Sequence, residues 1–147
     1  MFVDLPECAS YQTEEFIQIG HGGPGMLIGL LAVHPISQIL GHTEMCTRID
    51  QAVDNAQEVI WERGLLTTEP CPQHGAPGNS LVLLDRRRKA TFPCEGCAEV
   101  TRVGLEDGSL DPSSSPIGLH RGLMGTIWAM CEFQAGRSGV MPTFNEL

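Results

Sequence analysis

Aromatic residues are scarce in this 147-residue chain, at 5% of the total, so its core has to be built from aliphatic side chains. Lysine is scarcer still: a single Lys stands against eight Arg. Surface physics does not demand that ratio, which matches GC-rich coding and suggests a bacterial or phage source. No run of roughly eighteen apolar residues occurs, and the longest candidate, Met26 to Leu40, is broken by His34, Pro35, Ser37 and Gln38. That argues against a membrane-spanning helix. The opening Met-Phe-Val-Asp-Leu-Pro-Glu has no basic leader, so no signal peptide is expected. The setting expected is cytoplasmic, or a virion if the chain is phage-encoded. Also missing are H-E-x-x-H, G-x-S-x-G and a Walker-type loop. The Gly20-His21-Gly22-Gly23-Pro24-Gly25 run lacks the Gly-Lys-Ser/Thr of a phosphate loop and reads as a turn.

Charge is present but lopsided, at −9 overall. Residues 1–64 hold nine acids against two Arg, and residues 105–147 hold five acids against two Arg. Between them, residues 65–104 hold four acids against four Arg and the one Lys. The basic residues there form one run, Arg86-Arg87-Arg88-Lys89. An acidic chain does not bind phosphate backbones with its general surface. Any nucleic-acid contact would therefore rest on this run, and a protein partner or self-assembly is favoured.

Cysteine is the informative residue. Three of the six, together with one histidine, fall into two short pairs of soft or borderline donors, Cys71-Pro-Gln-His74 and Cys94-Glu-Gly-Cys97. A two-residue spacing lets a tight turn aim both side chains at one ion, and reducing conditions favour metal ligation over disulfides. Three thiolates and a neutral imidazole would give Zn²⁺ a closed shell, the ligand count of a structural site. Cys46 and Cys131 fall on apolar helix faces and read as small core residues, while Cys8 lies in an irregular start. His21, His34 and His120 lack partners at ligand spacing and read as surface or loop residues.

The periodicity predicts a helix over about Thr43 to Arg63, with Met45, Ile49, Ala52, Val53, Ala56, Val59 and Ile60 at helical spacing and Gly64 as its stop. Met26 to Leu40 reads as a helix interrupted near His34-Pro35, and Ile117 to Phe133 as a broad apolar helix. Asp107 to Pro116 reads as loop and Gly136 to Leu147 as tail. Ser80-Leu-Val-Leu-Leu84 and Ala90-Thr-Phe-Pro93 read as two strands joined by a turn at Asp85 to Arg88.

That hairpin would bring both ligand pairs to one end and leave the arginines at the far tip, an arrangement that resembles a zinc ribbon. Cys71-Pro-Gln-His74-Gly75 resembles the first knuckle, with His for the commoner Cys, and Thr91-Phe-Pro-Cys94-Glu-Gly-Cys97 the strand and second knuckle. The resemblance covers about thirty residues, near a fifth of the chain, and implies a structural Zn²⁺. The expected fold is α+β: a helical region over 1–66, the zinc-ribbon hairpin over 67–104, and a C-terminal loop and helix over 105–147. The expected role is non-enzymatic, a hairpin fixed by zinc for contact with a macromolecular partner, as in an adaptor or an assembly component such as a phage structural protein.

A rival uses half the same residues. His42-Thr43-Glu44 and Pro93-Cys94-Glu-Gly-Cys97 resemble the H-x-E and P-C-x-x-C elements of the zinc deaminases. That resemblance implies a zinc held by His42, Cys94 and Cys97, with Glu44 moving protons. It leaves Cys71 and His74 unexplained.

Overall fold

The longest helix forms where the sequence has its clearest 3.6-residue period. The computed structural model describes residues 17–66, 70–92, 102–103, 106–108 and 117–136. Its named helices are α1 (Gly23–Ile39), α2 (Thr43–Arg63), α3 (Ala76–Val82), α4 (Arg86–Thr91) and α5 (Leu123–Gln134). In α2 the stripe Ile49, Val53 and Ile60 is buried, while Asp54, Glu58 and Glu62 face solvent. The helix stops at Gly64, whose φ of −83° is not left-handed. Glycine is needed there for space: a Cβ would run into the Ile60 carbonyl and press on Asn79 and Phe92.

α1 does not break at His34-Pro35 as the sequence suggested; Pro35 lies inside it. An interior proline removes one helical hydrogen bond and typically costs about 3 kcal/mol. Packing offsets that loss, because Leu27 is buried and Ile28, Leu30 and Leu31 lie against the core formed with α2. The turn between the two helices is set by Gly41 at φ +73°. Its N–H reaches the Gln38 carbonyl and the His42 N–H the Ser37 carbonyl, both at 3.0 Å. These paired bonds are the Schellman pattern that ends a helix and reverses the chain.

The expected α+β fold with a zinc-ribbon hairpin is overturned by the next segment. Most of the supposed strand Ser80–Leu84 belongs to α3, and Arg86 to Arg88 of the supposed turn, with Ala90 and Thr91 of the supposed second strand, belong to α4. Among the described residues, strand-type pairing is confined to isolated bridges such as Ile17 with Gly22, and the architecture is helical. The reason lies in the helix-start signals. Pro77 occupies the first turn of α3, where its missing N–H costs nothing. Asp85 caps α4, its carboxylate accepting from the backbone N–H groups of Arg87 and Arg88 at 3.0 and 2.9 Å.

α3 is buried along its whole length. Asn79 donates to the Ile17 and Gly64 carbonyls at 2.7 and 2.8 Å, tying α3 to the C-terminal end of α2. Gln57 of α2 grips the chain leaving α3, donating to the Val82 carbonyl and accepting from the Leu84 N–H, each at 2.8 Å. One apolar cluster takes in Leu27, Ile49, Ile60, Ala76, Val82 and Phe92.

α5 starts only after Gly122, later than Ile117, and lies on α3. Cys131 is exposed and Cys46 half-buried, so neither is the core residue expected. Most of the expected loop Asp107–Pro116, nearly all of the tail, and Cys8, Cys94 and Cys97 lie outside the described residues.

Candidate metal centre

Three loops meet at Cys71-Pro-Gln-His74. The Gly20 N–H donates to the Gln73 carbonyl at 2.9 Å, and the Gln73 N–H to the His120 carbonyl at 3.0 Å. Thr126 of α5 closes the other side, its hydroxyl donating to the Pro70 carbonyl at 2.6 Å. Gly20 packs closely on the turn: a Cβ there would stand 3.0 Å from Gln73 Cγ and 3.1 Å from His74 Cε1, so those side chains would have to give slightly. His21 stacks on His74 with centroids 5.3 Å apart.

Within the turn, the His74 N–H points at Cys71 Sγ, 3.4 Å away, and the Gly75 N–H bonds the Cys71 carbonyl at 3.0 Å. His74 Nδ1 lies 3.0 Å from Oε1 of the buried Gln18. A carbonyl oxygen there calls for the proton on Nδ1, which places the lone pair on Nε2. Metal-bound histidines are held in the same way, one ring N–H donated to a carbonyl or carboxylate and the other nitrogen turned to the ion. The donor chemistry of Cys71 and His74 therefore fits zinc. Among the described residues no group of three or more His, Cys, Asp or Glu is placed to hold a metal, and the second pair, Cys94 and Cys97, lies outside them.

Phe92 stacks on Trp61 with centroids 5.3 Å apart and lies against Gly64. This is the end of the molecule where α3 meets α2, and α3 begins directly after Cys71-Pro-Gln-His74. His42 and Glu44 stand at the other end of α2, about 33 Å from Gly64 at a helical rise of 1.5 Å. His42 and Glu44 line an open cleft of about 690 Å³ with Leu30, Arg48, Ile49 and neighbours.

The Arg86–Lys89 run does not form a basic tip. Arg86 and Arg87 are exposed, but Arg88 bonds Glu58 at 2.7 Å and lies over the Trp61 ring. The Glu58 hydrogen bond raises the Arg88 pKa above its ordinary value. Lys89 is only 3% exposed, with Nζ 3.3 Å from the Leu81 carbonyl. Burial lowers its pKa to about 8, opposed by the charge of Glu132.

No protein-family model, curated protein or solved structure matches the chain. Sequence spacing singled out Cys71 and His74 but missed Gln18 and His21, which reach the turn from more than fifty residues away. His34, expected as a surface or loop residue, instead lies within α1, its Nε2 3.0 Å from Asp50 of α2. Among the described residues no helix is long and apolar enough to cross a membrane.

Proposed function

We propose that this chain is a non-enzymatic interaction protein whose helical core is stapled by a structural Zn²⁺ held by Cys71, His74, Cys94 and Cys97. The observation that carries the reading is the orientation of His74: Gln18 sits on Nδ1 while the same turn aims its own amide at Cys71 Sγ. With four protein donors the ion has no open position for water, so its contribution is cross-linking and not catalysis. It would join the loop before α3 to the chain leaving α4, two segments separated by both short helices. The knuckle part of the zinc-ribbon resemblance is retained in this reading and its hairpin is not.

A protein partner is favoured over nucleic acid. Arg86 and Arg87 are what remains exposed of the basic run, and they stand in a chain of net charge −9. The deaminase reading is weakened by the length of α2 between its two halves.

Zinc content of the purified full chain, measured by mass spectrometry, tests the assignment. About one zinc per chain is expected in the parent and in His42→Ala, and loss in Cys71→Ser and Cys94→Ser. A zinc-free parent refutes the proposal. Retention in Cys71→Ser with loss in His42→Ala would transfer the metal to the deaminase arrangement.

A further inference from the structure

Gln18 is buried, at 3% exposure, although glutamine is mostly a surface residue. The backbone around it is held on both sides. Ile17 sits in the apolar core, and its carbonyl accepts from the Asn79 amide of α3 at 2.7 Å. Ile17 also bridges to Gly22, which closes residues 17–22 into a loop. The Gly20 N–H ties that loop to the Cys71–His74 turn through the Gln73 carbonyl, 2.9 Å away. Gln18 Oε1 is thereby fixed 3.0 Å from His74 Nδ1. His21 of the same loop lies along the His74 ring, 5.3 Å between centroids and 11° between planes. One contact addresses a ring nitrogen and the other sets the plane of the ring.

We propose, on the zinc reading given above, that Gln18 is a positioning residue: it selects the His74 tautomer that takes the ion on Nε2, and the zinc affinity of the turn depends on it. A neutral imidazole carries one proton and one lone pair, and the protonated nitrogen does not ligate. An oxygen at Nδ1 draws the proton there and leaves Nε2 bare. A Gln18 amide turned the other way would donate to Nδ1, put the proton on Nε2 and close that nitrogen to the ion. Because Gln18 is enclosed, water does not compete for this hydrogen bond. Outer partners of metal-bound histidines are typically worth about 10–100-fold in metal affinity. A residue more than fifty positions before the turn thus sets how tightly the turn holds its ion.

Competition for zinc between the full chain and a chelating dye, under reducing conditions, ranks the parent and two variants. Gln18→Met conserves volume but offers no oxygen, and should bind zinc ~10–100-fold more weakly than the parent. Gln18→Glu can only accept a hydrogen bond, and should bind at least as tightly as the parent. A purely structural role gives the opposite order, because a buried carboxylate costs more than a volume-conserving swap. That order overturns the proposal. Equal affinity in Gln18→Met and the parent overturns it too, while leaving the zinc reading in place; a parent that binds no zinc removes both. If the variants do not fold, long-range proton–nitrogen NMR of the zinc-loaded parent decides. His74 should be protonated at Nδ1 and metal-bound through Nε2, and ligation through Nδ1 would refute the role given to Gln18.

Discussion

Lys89 and Asn79 show how the interior of this chain uses polar residues against the usual cost of burying them. The Lys89 amine is enclosed by α3, α4 and α5, and burial brings its pKa down to about 8. In the unfolded chain the amine titrates near its ordinary 10.5. Below about pH 8 both states hold the proton, and the folded state bears the full cost of a buried charge. Between the two values the unfolded chain still holds a proton that the folded chain has released, so stability rises with pH across that window. Urea unfolding of the parent should therefore gain stability relative to Lys89→Met from pH 8 to 10, and equal pH slopes in the two proteins would remove the assignment. Asn79 is a different case, with its amide donating to carbonyls on two separate segments. Asn79→Asp keeps the shape but removes both donors and adds a buried charge. It should cost more than the roughly 1–3 kcal/mol that Asn79→Ala loses by leaving the two carbonyls unpaired. Chemical denaturation at neutral pH compares them directly.

At the scale of elements, Gln57 holds the exit of α3 much as a neighbouring strand would, one bond given and one accepted. Gln57→Leu leaves the Val82 carbonyl and the Leu84 N–H without those partners. It should destabilise by about 1–3 kcal/mol, read as a lower urea midpoint at an unchanged slope. This clamp also shows why the middle of the chain was misread. Ser80-Leu-Val-Leu-Leu84 is a short apolar run, and such a run fits a buried helix as well as a strand. Pro77 ahead of it and Asp85 after it are helix-start signals, and they outweigh the weak β preference of a run with one β-branched residue. The period of α2 was legible because it alternates buried Ile49, Val53 and Ile60 with exposed acids over more than five turns. Pro35 misled in the opposite sense: its local cost is real, but contacts along the rest of α1 decide the outcome. For the candidate metal centre, spacing brought Cys71 and His74 forward as a pair, and the structure sets both on one turn. Gln18 and His21 were not, because nothing local links them to a turn more than fifty residues on.

For the whole molecule, the proposed zinc would add a cross-link around a stretch that the apolar core also holds through Ala76, Val82 and Phe92. α1 and α2 pack through Leu27, Ile49 and Val53, whereas α3 and α4 lie in the chain between the two ligand pairs. Removing zinc should therefore loosen the molecule unevenly. At zinc near 100 times its Kd, binding adds about 2.7 kcal/mol to stability, which for a chain of this size corresponds to roughly 5–10 °C in Tm. A chelator should lower the parent's Tm by about that amount and reduce amide-exchange protection in α3 and α4 first, with the centre of α2 protected longest. Cys94→Ser should already melt at the chelated value and show no further response, since it has lost the same ligand set. A chelator effect as large in Cys94→Ser as in the parent would place the metal elsewhere. Uniform loss of protection across α1, α2 and α3 would mean that the ion supports the entire core and not one flank of it.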